Sequence, residues 1–213
     1  MPVVSAVILR DAWSRLGLAE RLALEGQAQP LLERVWSAVA TLTDDPLIVA
    51  GPESRHLLGE KVPAGARSVP DNHPHLWPLG ALYAGLVAAR HERSLVVTSD
   101  MPLLNLPLLR YMILLSVDYD VVVVRLAGNL EPLHAVYGRA CVRPLELALE
   151  CGDPRIAAIL PNLRVRYVDD TEVDTFDPDH LFFFRVQSVQ DWEWAQEQPK
   201  RLLAQRTARL RKR

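Results

Sequence analysis

Cysteine is nearly absent from this chain: Cys141 and Cys151 are the only two in 213 residues. They form no C-x-x-C pair, which argues against a zinc site or a disulfide framework and favours a reduced, cytoplasmic setting. Long apolar runs are missing as well, and none approaches the ~20 residues that cross a bilayer. Met1-Pro2-Val3-Val4 offers no basic stretch ahead of a long apolar one, so no secretory signal is expected. An excess of one charge sign is also missing. The formal net charge of −2 gives no global field for nucleic acid or a membrane surface, and neither is an expected partner. Glycine is scarce where a phosphate site would need it. The first loop, Leu9-Arg10-Asp11-Ala12-Trp13-Ser14-Arg15-Leu16-Gly17, holds one glycine and is neither a P-loop nor a G-x-G-x-x-G turn.

What the chain has is a series of short apolar strands alternating with helices. Val3 to Leu9, Pro46 to Ala50, Ala66 to Val69, Ser94 to Thr98 and Tyr119 to Val124 read as strands. Leu163 to Val168 alternates polar and apolar residues, as a half-buried edge strand does. Glu131 to Tyr137 reads as a strand edge running into a helix near 139–150, and Leu181 to Val186 as a late strand. Helices are expected from Pro30 to Val39, from Pro78 to Arg90, from Pro107 to Ser116 and from about Val189 onward. Continuous apolar strands separated by helices predict a mostly parallel sheet covered on both faces, a three-layer α/β/α Rossmann-like arrangement. Residues 1–198 are expected to form one such domain, with 199–213 a basic helix end or tail.

In open α/β sheets ligands sit beyond the carboxyl ends of the strands. Asp100, in Thr98-Ser99-Asp100-Met101-Pro102, lies at such an end and is suited to hold Mg²⁺ against a phosphate, or to cap a helix beginning near Leu103. Asp71, in Val69-Pro70-Asp71, reads as a ribose or ion contact or as a turn residue. Gly80 and Gly85, in the Ala- and Leu-rich helix, allow close approach by a ligand or by another backbone. His134, between apolar segments, is either a cofactor contact or a core histidine. Arg10 and Arg15 supply charge near the first loop, for phosphate or for solvent.

Taken in order, several of these segments resemble the molybdenum cofactor guanylyltransferase family of nucleotidyltransferases. Ser99-Asp100-Met101-Pro102-Leu103-Leu104 is similar to the family's C-D-M-P-x-L motif. Val69-Pro70-Asp71 followed by Pro78-Leu79-Gly80-Ala81-Leu82 resembles V-P-D…G-P-L-x-G-L, and Glu131-Pro132-Leu133-His134-Ala135-Val136-Tyr137 resembles Q-P-L-x-A-L-Y. Ala6 to Leu9 and Pro30 to Val35 resemble the opening strand and first helix. The resemblance implies transfer of GMP from Mg·GTP to molybdopterin with release of pyrophosphate. It makes Asp100 the metal ligand and a catalytic residue, and places Asp71 against guanosine. GTP and the molybdopterin cofactor are the implied substrates, and molybdoenzyme-maturation proteins the expected protein partners.

The chain departs from the family pattern in its first loop and near its end. Leu9, Ser14, Arg15 and Gly17 match L-A-G-G-x-S-x-R-M-G-x-x-K, but Asp11 stands where a glycine gives a bare N–H to phosphate. The family lysine falls at Glu20 or, with a one-residue shift, at Arg21, of which only Arg21 could replace its charge, and Gly51 replaces an asparagine after the second strand. Arg185 and Gln187 replace the two asparagines of N-V-N-T-P-E-D on the cofactor side. The implied nucleotide-binding set is therefore Leu9, Arg10, Asp11, Arg21, Gly51, Asp71 and Asp100, with Arg15 catalytic and Gly80, His134, Arg185 and Gln187 toward the cofactor. Two alternatives stay open: a non-catalytic relative that binds a partner in cofactor maturation, and a nucleotidyltransferase of cytidylyl or sugar-nucleotide specificity.

Overall fold

Six of the seven strands run in one direction, and both faces of the sheet they form are covered. The computed structural model describes residues 2–10, 31–52 and 62–198. Its sheet has seven strands: β1 (Ser5–Leu9), β2 (Asp45–Ala50), β3 (Arg67–Pro70), β4 (Arg93–Thr98), β5 (Val121–Leu126), β6 (Asn129–Gly138) and β7 (Val165–Val168). The order across the sheet is β3-β2-β1-β4-β6-β5-β7. β6 runs antiparallel to both of its neighbours, and the other pairings are parallel.

Helices cover both faces. On one side α1 (residues 31–39), α3 (Leu106–Leu115) and α5 (Asp170–Phe176) bury Leu32, Val35, Leu109, Met112 and Val173 against Ile8, Val97 and Val124. On the other, α2 (Leu79–Ala88) and α4 (Val142–Glu150) bury Leu82, Leu86 and Leu145 against Val7, Val49, Val96 and Val123. Each such side chain contributes about 1.5–3 kcal/mol on removal from water. A final helix, α6 (residues 189–198), packs Trp192 and Ala195 on Leu31 and Val186. The three layers are those expected from the alternation of strands and helices.

The segment Glu131–Tyr137 runs as a strand into the helical stretch at 139–150, as expected, but the strand is longer: it is the ten-residue β6, which lies inside the sheet between β4 and β5. Two expectations are corrected. Leu181–Val186 is not a strand. Its first three residues form a 3-10 turn after His180, whose φ is +50°, and Asp177 Oδ2 accepts the Phe182 N–H at 2.8 Å. Asp100 does not cap a helix near Leu103. The helix begins at Leu106, and the Asn105 side chain accepts from Leu108 N at 2.9 Å.

Candidate functional site

β2 and β4 flank β1, so the chain leaves β1 toward opposite sides of the sheet, and a crevice opens beyond the strand ends there. The ladders carry one residue past each strand into that crevice. Arg10 N donates to Val49 O at 2.9 Å, Asp71 N to Ala50 O at 3.1 Å, and Ser99 N to Leu9 O at 3.0 Å. Leu9, Arg10, Gly51, Asp71 and Asp100 therefore lie along one edge, and all five are buried. Asp11, Arg15 and Arg21 lie outside the described residues.

Asp100 follows β4 in a tight turn and is 5% exposed. Both of its carboxylate oxygens accept from Arg185 Nη1, at 3.1 and 2.9 Å. Arg185 Nη2 donates to Glu131 Oε1 at 2.8 Å, so one guanidinium bridges two buried carboxylates. Burial opposes the charge on Arg185, but Asp100 and Glu131 outweigh it and hold the guanidinium protonated above its usual range. The backbone fixes the pair as well, since Val186 N donates to Asp100 O at 2.8 Å.

Glu131 lies within the Glu131–Tyr137 motif, and the sequence alone does not mark it as a site residue. Its position comes from an irregularity in β6, where the register against β5 shifts between Val123 and Val124. Tyr137 Oη donates to Pro132 O at 2.7 Å and Leu133 N to Glu131 Oε1 at 3.2 Å, closing the bulge. A carboxylate just before a proline in an otherwise apolar strand was the available signal.

Asp71, three strands from Asp100, is 2% exposed. Its Oδ1 accepts from His73 N at 2.8 Å, while its buried Oδ2 has no hydrogen-bond partner. Burial raises its pKa, only partly offset by the His73 N–H. Gly80 stands behind this carboxylate. A Cβ there would lie 2.5 Å from His73 O and 2.8 Å from Asp71 Oδ1, so the glycine makes room for the Asp71 turn itself. Gly85 lets α2 approach β1, since a Cβ there would lie 2.4 Å from Val7 Cγ1.

His134 is fully buried, 4.7 Å from the Phe182 ring between centroids, with neither nitrogen hydrogen-bonded. Burial first, and Arg185 second, lower its pKa to about 3, so it is a neutral core residue. Gln187 is exposed, and its backbone N–H donates to Asp191 at 2.9 Å in the turn that opens α6. A divalent ion does not fit Asp100 as it stands, because Arg185 holds both oxygens. Nor do the described residues gather three or more His, Cys, Asp or Glu side chains for a metal. The edge presents a paired cation and two carboxylates at one end and an under-satisfied carboxylate at the other.

A family model described as the MobA-like NTP transferase domain matches residues 13–172. That match starts after β1 and ends before Arg185. The chain is 32% identical over 187 residues to a probable molybdenum cofactor guanylyltransferase of Pelotomaculum thermopropionicum, covering 88% of this chain and 89% of that one. It is 29% identical over 198 residues to a molybdenum cofactor guanylyltransferase of Desulfosudis oleivorans, covering 92% and 96%. Among solved structures, molybdopterin-guanine dinucleotide biosynthesis protein A of Archaeoglobus fulgidus is similar in fold. Its TM-score is 0.72 at 20% identity, with 93% of this chain and all of that one covered.

Proposed function

Because the chain belongs to the MobA-like NTP transferase domain family, we propose that it is a molybdenum cofactor guanylyltransferase of the cytoplasm. It joins the GMP part of GTP to the terminal phosphate of molybdopterin and releases pyrophosphate. The catalytic domain is residues 1–198, with 199–213 a basic tail. The observation that carries this reading is the buried Asp100 at the C-terminal end of β4, beside the crevice at β1, in a chain 32% identical to a relative of that name.

The two ends of the edge suit the two ends of a nucleotide. Asp71 and Asp100 are three strand spacings apart, about 14 Å. The buried, unpartnered Oδ2 of Asp71 is an acceptor for N–H or O–H donors of guanosine. Arg10, with the Arg15 and Arg21 of the first loop, supplies positive charge toward the phosphates. Gly51 lets the nucleotide approach the end of β2, and Gly80 serves it by placing Asp71.

In the reaction a molybdopterin phosphate oxygen attacks the α-phosphorus, and the bond to the β-phosphate oxygen breaks. Positioning and charge stabilisation carry such a step, with little covalent work for the protein. Mg²⁺, by this reading, enters with GTP as part of the substrate. Molybdoenzyme-maturation proteins would receive the product.

Calorimetric titration with GTP, CTP and ATP, with and without Mg²⁺, tests nucleotide choice. The reading expects GTP to bind at least tenfold tighter than CTP or ATP, and Asp100→Ala to weaken that binding by about tenfold or more. Selective CTP binding would favour a cytidylyltransferase, and binding of no nucleotide would refute the enzyme.

A further inference from the structure

The Asp100 carboxylate is already matched by a cation belonging to the protein. Arg185 Nη1 is 2.9 and 3.1 Å from its two oxygens and 3.4 Å from Thr98 Oγ1, while Nη2 is 2.8 Å from Glu131 Oε1. A guanidinium is planar, always charged and suited to bridging two carboxylates, which an ammonium does less well. Both carboxylates are over nine-tenths buried, so the interaction is only weakly screened by solvent. The hold is built in from two sides. Val186 N on the Asp100 carbonyl fixes the backbone of Arg185, and the closed β6 bulge fixes Glu131.

A hard divalent ion needs the same oxygens, at 2.0–2.1 Å for Mg²⁺ in octahedral geometry. With the guanidinium in place, the ion would also face a full positive charge a few ångströms away. The Arg185 side chain is 27% exposed, so it borders the crevice rather than the core.

We propose that Arg185 is the resident cation of the Asp100 site and excludes free divalent ions from it. Without Arg185, Asp100 and Glu131 leave an oxygen-only, doubly negative pair that takes a hard cation. With it, a metal reaches Asp100 only when the guanidinium is drawn away. The consequence for nucleotide use rests on the nucleotidyltransfer reading, but the exclusion itself does not, and it is measured with metal alone.

The test is Mn²⁺ binding to the full chain without nucleotide, read from the loss of the free-ion electron paramagnetic resonance signal. Arg185→Gln should bind Mn²⁺ about tenfold or more tighter than the unaltered protein. Adding Asp100→Asn to that variant should abolish the gain. Arg185→Gln leaves two buried carboxylates unpaired and is prone to unfold. The charge-conserving pair Arg185→Gln with Glu131→Gln is the second test, and it too should bind tighter than the unaltered protein in an Asp100-dependent way. Circular dichroism checks that each variant is folded. The proposal is overturned if the folded variants bind Mn²⁺ no tighter, or if the gain survives Asp100→Asn. Neither result depends on whether the protein uses GTP.

Discussion

A single buried side chain shows how much of this site is physical compromise. His134 is sealed in the core with both ring nitrogens unpaired, against Phe182 and close to Arg185. Its pKa lies near 3 when folded and near 6.5 when unfolded. Below pH 6.5 the unfolded chain takes up a proton that the folded chain refuses. The stability tied to the neutral ring is therefore complete above pH 6.5 and is lost as pH falls toward 3. Between pH 7 and pH 5 this one group should cost the native protein about 2 kcal/mol. His134→Leu should remove that share of the pH dependence and be neutral or stabilising at pH 7. Urea unfolding of both proteins at the two pH values checks this, and equal losses in both would contradict it. At this scale the sequence was informative about candidates and silent about partners. Asp100 and Asp71 stood out as carboxylates just past strand ends, and Arg185 came forward only with the family resemblance. That Arg185 would grip Asp100, 85 positions earlier, depends on a contact that local pattern does not encode.

At the level of elements, the start of α2 and the turn after β3 act as one unit. Gly80 is buried, and its missing Cβ is the space filled by His73 O and Asp71 Oδ1. Gly80→Ala forces that turn outward. It should destabilise the protein by about 1–3 kcal/mol and lower the melting temperature by about 2–12 °C. GTP affinity should fall with it, because Asp71 moves. A variant with unchanged melting temperature and unchanged affinity would show that the turn yields at no cost. The six strands that share one direction, and their helices, were legible because apolar runs, a polar–apolar alternation at Leu163–Val168 and Pro-marked helix starts are local signals. The full length of β6 and the turn at Leu181–Val186 were not. β6 is interrupted by a bulge around Pro132 that hides its length, and a Phe-rich run after the left-handed His180 folds as a turn that buries Phe182.

For the whole molecule, the arrangement gathers Leu9, Arg10, Gly51, Asp71, Asp100, Glu131 and Arg185 at one edge of a seven-stranded sheet. They come from five strands and from a C-terminal segment anchored on α1 through Leu31, Val186 and Trp192. Sequence order alone pointed to the fold and family through the succession of short motifs, each weak by itself. The cation at Asp100 emerged only when the C-terminal segment was seen to cross the strand ends. The central claim is nucleotidyl transfer at this edge, and following the α-phosphate of GTP tests it most directly. With α-labelled GTP, Mg²⁺ and molybdopterin, label should pass into a molybdopterin dinucleotide as pyrophosphate is released, and Asp100→Ala should slow this about 100-fold or more. No transfer of label by the folded, unaltered protein, or transfer that Asp100→Ala leaves intact, would contradict the account.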